Sequence, residues 1–353
     1  MLNPSGPQLM GLSTAVPTHV LEQSEAECIA SDLFSDRSED FARLRPVFEN
    51  TGIKHRHLAM PVDWYLELRG WEERTDVYIE AATDLFCKAA QKALAESHLS
   101  PSDIDIIVSV SSTGIATPSL EARAHARMGF RNDALRVPIF GLGCAGGVAG
   151  LTVASRLAAA TPDTNVLFVA VEICSMAFRP DKPTNSNIVA TALFADGAAA
   201  GIISSHAKGH GVCLGEGRQY TWPETLGIMG WNVDPNGFEV IFDRAIPPFA
   251  RRHVRPIMDQ FLKAWEHDTD TLERLSFHPG GTKVLEALEN AFELTSGALD
   301  IERDVLCGFG NMSAPTALFV LKRELEQRTS GTSILTALGP GFTAAAIPVS
   351  VNA

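Results

Sequence analysis

The stretch Val137-Pro138-Ile139-Phe140-Gly141-Leu142-Gly143-Cys144-Ala145-Gly146-Gly147-Val148-Ala149-Gly150-Leu151 decides the fold of this chain. Its first residues form an apolar run that predicts a buried strand, and a glycine-rich bend follows. From Val148 onwards, apolar and small residues recur at helical spacing. Cys144 is the first reactive side chain after the strand, at a helix start that favours thiolate over thiol. A buried structural cysteine fits the same bend, so these residues alone leave nucleophile and packing thiol equally open.

Composition limits the class of protein. The 353 residues are 45% apolar and 20% charged, which is ordinary for a globular chain with a large core. The net charge of −13 argues against nucleic acid as the main partner. The six cysteines show no metal-ligand spacing and are typical of free thiols in a reducing compartment. No signal peptide and no apolar run of membrane-spanning length is evident, so we expect a cytoplasmic protein without integral membrane association.

Two parts of the chain overlay when one is shifted by 167 residues. Residues 141–144 then fall on residues 308–311, so that Cys144 corresponds to Asn311. Ser111, at the end of a predicted strand, corresponds to His278. The predicted strands keep the same order, with residues 104–110 on 271–277 and 166–171 on 333–338. Several matches in one order make chance the weaker explanation, and the pattern indicates a duplication.

The duplication predicts an α/β protein built from two similar halves. We place the first half, with the candidate nucleophile, at residues 1–210 and the second, with His278 and Asn311, at residues 211–353. The first half carries about 21 additional residues, around residues 172–192, between its last two strands. Halves of this kind face each other across a pseudo-twofold axis. Cys144, His278 and Asn311 are therefore expected at one shared interface.

Cysteine, histidine and asparagine at one site support acyl transfer. A helix start and a paired histidine lower the pKa of a thiol from about 8.5 to as little as ~3.5–7.5. Asn311 donates hydrogen bonds through its amide and can stabilise an oxyanion. A cysteine hydrolase would use water as its second nucleophile. A Claisen condensing enzyme would instead direct His278 and Asn311 at a thioester carbonyl, stabilising the enolate left when a malonyl thioester loses carbon dioxide.

Six segments resemble the signature segments of type III polyketide synthases, the chalcone-synthase-like branch of the thiolase fold. They are TGIATP at 113–118, GLGCAGG at 141–147, ALFADGAAA at 192–200, HPGG at 278–281, GNMSAPT at 310–316 and GPGF at 339–342. The resemblance extends from about Leu9 to Val349, nearly the whole chain. It implies a thiolase-like α/β fold with duplicated βαβαβαββ halves in a layered αβαβα arrangement.

The resemblance also implies roles for the three residues. Cys144 would be loaded with a starter acyl group from an acyl-CoA. His278 would hold the thiolate and, with Asn311, bind the thioester oxygen of malonyl-CoA during decarboxylation. Repeated extension would give a poly-β-keto chain that cyclises in the cavity. The family is homodimeric and uses CoA thioesters as substrates, so no metal ion and no redox cofactor is implied.

The cavity and its entrance depart from the plant members of the family. Phe194 matches a gatekeeper phenylalanine, whereas a second gatekeeper falls near Val240. Cys174 replaces a threonine, and Thr117 replaces a methionine at a position where a neighbouring subunit contributes to the wall. Ser112 is a further cavity candidate. The smaller residues indicate a roomier cavity that favours an aliphatic starter.

The phosphates of CoA have no clear partners in the sequence. The basic residues with which plant members bind these phosphates are not found at the matching positions. The nearby basic residues expected to bind the phosphates instead are Arg43, Lys54 and Arg56.

We therefore expect a bacterial-type polyketide synthase that makes alkylpyrones or alkylresorcinols from a fatty acyl-CoA and malonyl-CoA. One alternative is a β-ketoacyl synthase of the type that starts fatty-acid synthesis, which performs one condensation, usually onto acyl carrier protein. The HPGG and GNMSAPT segments favour the polyketide branch. An alternative of another class is a cysteine hydrolase, which would release free acid from acyl-CoA without malonyl-CoA.

Overall fold

A computed structural model of the chain describes residues 6–38, 40–206 and 211–352. The predicted boundary between the halves, at residue 210, lies outside the described residues and stays a prediction. The strands are β1 (Gln8–Ala15), β2 (His19–Glu22), β3 (His55–Leu58), β4 (Ile106–Val110), β5 (Leu135–Ile139), β6 (Asn165–Ile173), β7 (Asp196–Ser204), β8 (Gly211–Leu214), β9 (Arg218–Thr221), β10 (Met229–Asp234), β11 (Gly237–Phe242), β12 (Arg274–Phe277), β13 (Gly331–Gly339) and β14 (Thr343–Asn352).

The helices account for most of the remaining described residues. They are α1 (Gln23–Phe34), α2 (Phe41–Leu44), α3 (Val47–Asn50), α4 (Val62–Leu66), α5 (Trp71–Glu96), α6 (Leu120–Met128), α7 (Gly146–Ala160), α8 (Asn185–Leu193), α9 (Ile246–Ala264), α10 (Thr282–Phe292), α11 (Asp300–Phe309) and α12 (Ala314–Gln327). Single 3-10 turns cover Pro101–Asp103, Gly143–Ala145, Cys174–Ala177 and Thr269–Thr271.

The order of strands in the large sheet carries the duplication. Nine strands follow one another as β12-β13-β14-β8-β1-β7-β6-β4-β5, and β9 pairs with β14. Apart from the edge strand β5, the order is symmetrical about the antiparallel pair β8 and β1. In each half a parallel pair (β4 with β6, β12 with β13) is followed by an antiparallel one (β6 with β7, β13 with β14). The two halves that overlay along the sequence therefore pair their strands in the same order and direction.

Alternating side chains along the strands divide the interior into three cores, because successive residues of a strand point to opposite faces. On β6, Leu167 packs with helices α5 and α6, whereas Phe168 packs with α7 and α12. On β14, Ala345 faces the same central core as Phe168, whereas Ala346 packs with α9 and α10. The layers are therefore helix, sheet, helix, sheet, helix, as expected of a thiolase-like fold.

Helix α7 lies in the central layer, where close packing requires small residues. A Cβ added at Gly150 would lie 2.5 Å from Val110, and one at Gly147 would lie 2.2 Å from the carbonyl oxygen of Ala314 at the start of α12. The window Gly143–Ala160 is long and apolar enough to cross a membrane, and 67% of it is buried inside the protein. The expectation that no apolar run reaches membrane-spanning length is therefore wrong, because a core helix that is mostly buried is apolar over most of its surface.

We expect Gly147→Ala to destabilise the protein by about 3 kcal/mol, since the added methyl group meets the backbone of α12 and the central layer cannot yield easily. The melting temperature measures the effect. Gly308→Ala is the matched control, because Gly308 is also helical and a Cβ there has no neighbour within 4 Å. That change is expected to be neutral or slightly stabilising. Equal melting temperatures for the two variants would contradict the packing argument.

One local prediction differs from the structure, and one part of the duplication is not repeated. Strand β5 is at the edge of the sheet rather than buried, and Leu135 and Phe140 at its ends are 56% and 57% exposed. In the second half, the corresponding residues form helix α11 instead of a strand. The carboxylate of Glu302 on α11 accepts a hydrogen bond from the Phe277 N–H (3.0 Å), which satisfies a backbone group at the edge of β12.

Candidate active site

Cys144 lies in the 3-10 turn between β5 and α7, and this turn packs against the end of β13 in the other half. A Cβ added at Gly339 would lie 2.6 Å from the Ala145 nitrogen. A Cβ added at Gly143, whose φ is +46°, would lie 2.7 Å from Pro340. Glycine is therefore needed on both sides of the contact. The contact places the buried Cys144 where side chains of the second half can reach it.

The turn after α11 presents two polar side chains to the nucleophile. Asn311 and Ser313 lie close enough to Cys144 for their side chains to lower the pKa of its thiol. The Oδ1 of Asn311 accepts from the Ser313 N–H (2.8 Å), and its Nδ2 donates to the carbonyl of Gly280 (3.1 Å). Ser313 has φ of +58°, which is uncommon for a residue other than glycine and is found at functional sites.

His278 follows β12 directly, as the overlay of the halves predicts. Its N–H donates to the carbonyl of Thr336 on β13 (2.8 Å), and its carbonyl accepts from Gly280, the residue bonded to Asn311 (3.0 Å). Its imidazole is buried, and neither ring nitrogen has a hydrogen-bond partner among the described residues. Leaving such nitrogens without a partner costs free energy. The ring is therefore available to a ligand at the junction of the halves.

Burial acts on the cysteine and the histidine in opposite directions and favours the neutral form of each. It raises the pKa of the Cys144 thiol to about 11, although hydrogen bonds from Ser313 and Asn311 lower it in part. It lowers the pKa of His278 to about 3. The expected lowering of the thiol pKa is therefore wrong for Cys144 alone, because burial outweighs the helix start. A thiolate and an imidazolium formed together, by transfer of the thiol proton, would stabilise each other.

Glu172 is a buried acid near the nucleophile that sequence reasoning missed. Its Oε2 accepts from the N–H of Ser112 and the hydroxyl of Thr113, both at 2.8 Å. Burial raises the pKa of Glu172 to about 8, and its charge in turn raises the pKa of Cys144. The available signal was a lone carboxylate in the otherwise apolar stretch Val166 to Ile173.

The predicted cavity residues occupy three kinds of position. Phe194 is half-buried, and its backbone forms a bridge with that of Asn311. Cys174 is buried and close enough to Cys144 that the charge of one raises the pKa of the other. Val240 is buried in β11, and Thr117 is exposed in the loop before α6.

Ser112 supports the nucleophile turn and is itself almost fully buried. Its hydroxyl accepts hydrogen bonds from the N–H groups of Gly143 (3.1 Å) and Gly141 (3.3 Å). Its side chain therefore supports the bend that carries Cys144, and its cavity-lining role stays a prediction.

An apolar cavity of about 60 Å³ has Phe194 and Cys174 in its wall. Helices α1 and α4 and the turn Cys174–Ala177 contribute to its wall. The lining includes aliphatic side chains and one charged one: Leu21, Ala26, Ile29, Leu58, Val62 and Arg56. Cys144, His278 and Asn311 are not among its lining residues, so the cavity adjoins the catalytic group through Cys174 and Phe194.

The three predicted CoA-binding residues do not share one environment. Arg43 is exposed and paired with Asp40, and Lys54 is exposed. Arg56 is only 2% exposed, and its Nη1 donates to the carbonyls of Thr191 (2.6 Å) and Phe194 (2.9 Å). A phosphate at the protein surface cannot reach it. The prediction for Arg56 is therefore corrected: its guanidinium holds the backbone at Thr191 and Phe194 in place through hydrogen bonds.

Among residues 6–38, 40–206 and 211–352, no group of three or more histidine, cysteine, aspartate or glutamate side chains could hold a metal ion.

Family models match nearly the whole chain. The model described as chalcone and stilbene synthases, N-terminal domain, matches residues 3–207, and the corresponding C-terminal domain matches residues 214–351. The chain belongs to the chalcone and stilbene synthase family.

Relatives within this family are similar over their full length. A 1,3,6,8-tetrahydroxynaphthalene synthase of Streptomyces peucetius subsp. caesius is 36% identical, over 96% of this chain and 92% of its own. A putative chalcone synthase of Bacillus subtilis is 31% identical, over 95% and 96%. The crystal structure of 1,3,6,8-tetrahydroxynaphthalene synthase from Streptomyces coelicolor, a bacterial type III polyketide synthase, superimposes with a TM-score of 0.93 at 30% identity, covering 98% of this chain and 99% of that one.

Membership of the chalcone and stilbene synthase family confirms the thiolase-like fold and the enzyme class. The protein is a type III polyketide synthase, an enzyme that transfers acyl groups by condensation. Within this family, the side chains of Cys144, Ser313 and Asn311, together with the free imidazole of His278, form the candidate catalytic group.

Proposed function

We propose that this enzyme condenses malonyl-CoA repeatedly onto an acyl group carried by Cys144 and releases a cyclised polyketide. The observation that supports this most is the buried His278 imidazole, whose two nitrogens have no partner at the junction that also holds Cys144 and Asn311. One imidazole and one amide supply two donors for a single thioester oxygen, which is what an enolate requires.

In the first step the thiol proton of Cys144 moves to His278, and the thiolate attacks the carbonyl carbon of an acyl-CoA. The bond from that carbon to the CoA sulfur breaks, and the CoA thiolate leaves with a proton. Because burial disfavours each charge alone, the thiolate and the imidazolium are expected to form together.

In the second step malonyl-CoA loses carbon dioxide, and the electron pair of the broken C–C bond becomes an enolate. Its oxygen accepts hydrogen bonds from His278 and Asn311. The enolate carbon attacks the acyl carbon on Cys144, and the C–S bond breaks to free the thiolate. The product is a β-ketoacyl-CoA two carbons longer, which returns to Cys144 for the next round.

An aliphatic acyl-CoA is our proposed starter. The apolar lining of the cavity beside Phe194 and Cys174 suits an alkyl group better than a polar one, which supports an alkylpyrone or alkylresorcinol product. A second candidate is synthesis from malonyl-CoA alone, favoured by the relatives named 1,3,6,8-tetrahydroxynaphthalene synthase.

Product analysis separates the two candidates. The enzyme is incubated with malonyl-CoA, with and without acyl-CoAs of two to sixteen carbons, and products are identified by mass spectrometry. An aliphatic starter predicts products whose mass rises with the acyl chain and little product from malonyl-CoA alone. A product independent of the added acyl-CoA would favour the second candidate, and no product with any starter would overturn both.

We further propose that the enzyme is a homodimer joined at the edge of its sheet. Strand β5 leaves backbone groups unpaired at this edge, and Leu135, Phe140 and Ile115 are all more than half exposed there. Unpaired edges with apolar side chains are typical of interfaces. Thr117 lies in the same exposed loop as Ile115, which agrees with its predicted contact with a neighbouring subunit.

We expect a dimer in analytical ultracentrifugation, and Phe140→Glu is expected to weaken it at least tenfold because a charge replaces an apolar contact. Leu226→Glu is the matched control, since Leu226 is 82% exposed and far along the chain from β5. A monomeric wild type, or equal dimerisation of both variants, would contradict this interface.

The compartment and the CoA contacts also remain proposals. All six cysteines are free, which is typical of a reducing compartment, and we propose a cytoplasmic enzyme. Lys54 and Arg43 remain the proposed contacts of the CoA phosphates.

A further inference from the structure

Helix α9 and the two residues before it carry a strongly basic stretch of this acidic chain. Residues 244–258 contain four arginines and no aspartate or glutamate, whereas the whole chain has a net charge of −13. Arg244, Arg251 and Arg252 are exposed, because the helix buries its opposite face in the core of the second half. The stretch therefore presents a positive surface on an otherwise negative protein.

The three exposed arginines have no hydrogen bond or ion pair within the described part of the chain. Arginines elsewhere are paired, such as Arg127 on α6, which contacts two carboxylates of α5. Like charges three or four residues apart destabilise a helix, and Arg251 and Arg252 stand at these spacings from Arg255. The cluster therefore destabilises α9, and contacts with an acidic partner would offset that effect.

The basic surface lies at the end of the molecule that carries the nucleophile. In the first turn of α9, the ring centroid of Phe249 is 5.4 Å from that of Phe342. Phe342 ends the turn at residues 339–342, which packs against the Cys144 turn. Just before α9, the ring centroid of Phe242 is 6.5 Å from that of Phe194. The first turns of α9 are therefore close to the entrance of the candidate site.

The surface stays open in the proposed dimer. Helix α9 packs beside β12, β13 and β14, whereas β5 is at the opposite end of the sheet. The helix places Arg252 about 9 Å along its axis from its first residue, so the row of charges is longer than one phosphate group. A row of carboxylates on another protein has the complementary charge and a comparable length.

We propose that Arg244, Arg251 and Arg252 form a docking surface for an acidic carrier protein that delivers the starter acyl group as a pantetheine thioester. CoA presents the same thioester, so one catalytic group serves both donors. This inference rests on the proposed function, because the delivered group is transferred to Cys144. The thiolate attacks the acyl carbon, the bond from that carbon to the carrier's sulfur breaks, and this sulfur leaves with the proton that His278 took from Cys144.

The first test compares three donors of one acyl group: octanoyl-CoA, octanoyl-pantetheine and the octanoyl form of a bacterial fatty-acid acyl carrier protein. Loading of Cys144 is followed by intact-protein mass spectrometry at about 0.15 M salt, where charges act mainly over short distances. In the double variant Arg251→Glu, Arg252→Glu, the loading rate from the carrier protein is expected to fall at least tenfold. The rates from the two small donors are expected to stay within threefold of the wild type.

Lys263→Glu is the matched control. Lys263 is an exposed cation at the other end of α9, about 16 Å from Arg252 along the helix, and it has no ion pair within the described residues. This variant is expected to load from all three donors within threefold of the wild type. Circular dichroism checks that both variants are folded.

Binding without turnover separates the docking surface from the proposed function. The carrier protein is titrated against the wild type and the double variant by biolayer interferometry, and the dissociation constant is expected to rise at least tenfold in the variant. Binding by the wild type without loading from any donor would overturn the proposed function and leave the docking surface in place. Equal carrier binding by both proteins, an equal loss of loading from octanoyl-CoA, or binding to phosphatidylglycerol vesicles instead of the carrier would overturn the docking surface.

Discussion

Cys144→Ala is expected to lower polyketide formation by at least ~10⁴-fold, because no other thiol at the site can carry the acyl chain. Cys174 is another buried cysteine near Cys144, and burial raises its pKa well above the usual value without the lowering that Asn311 and Ser313 give to the pKa of Cys144. Product formation from acyl-CoA and malonyl-CoA is measured by mass spectrometry, and intact-protein mass shows whether an acyl group is attached.

The two steps of the proposed reaction should respond differently to this change. Decarboxylation of malonyl-CoA depends on His278 and Asn311, so Cys144→Ala is expected to retain release of carbon dioxide, whereas Asn311→Ala is expected to lose most of it. Cys87→Ala is the matched control, since Cys87 is a buried thiol on α5 among core residues. Full product formation by Cys144→Ala, or loss of product in Cys87→Ala alone, would refute the role of Cys144.

The parts of the fold that the sequence predicts well are those set by periodicity. In helix α5 (Trp71–Glu96) the buried residues recur at helical spacing, because one face of a long helix must be buried. The shift of 167 residues places His278 after β12 and Asn311 before α12, the positions that Ser111 and Cys144 hold after β4 and before α7. A duplication is visible in the sequence because both halves repeat the same strand ends and bends.

The parts that the sequence does not predict depend on neighbours distant along the chain. An apolar run such as residues 137–140 is expected both in a buried strand and in a strand at the edge of a sheet, so the sequence does not distinguish the two. Arg56 has the composition of a surface cation, and only the carbonyls of Thr191 and Phe194 explain its burial. The contact of Trp231 with Ser112 joins residues 119 positions apart. No local pattern indicates such a pair.

The pKa of Cys144 is also set by residues distant along the chain. The position of Cys144 before a helix predicts a lower thiol pKa, yet burial and the charge of Glu172 raise it. The depth of a site and the carboxylates around it follow from tertiary packing, so the sign of a pKa shift cannot be derived from the helix start alone.

His278→Gln should therefore change how the thiolate forms. In the proposed mechanism the imidazole accepts the thiol proton, so alkylation of wild-type Cys144 by iodoacetamide is expected to be appreciable at pH 7. Without that base, the buried thiol must lose its proton to water, and its pKa of about 11 leaves little thiolate at neutral pH. We expect alkylation of His278→Gln at pH 7 to be at least ~100-fold slower than in the wild type.

The pH profile distinguishes this explanation from a structural one. For a thiol whose pKa is raised to about 11, the thiolate fraction rises about tenfold with each pH unit until the pH approaches that value. Alkylation of His278→Gln should therefore climb steadily from pH 7 to 10, while the wild-type profile is flatter because the proton moves within the protein. Cys28, which is exposed, serves as the internal control in both proteins. Identical profiles for Cys144 in the two proteins would show that His278 does not hold the proton, and a uniformly slow rate at every pH would point to lost access instead.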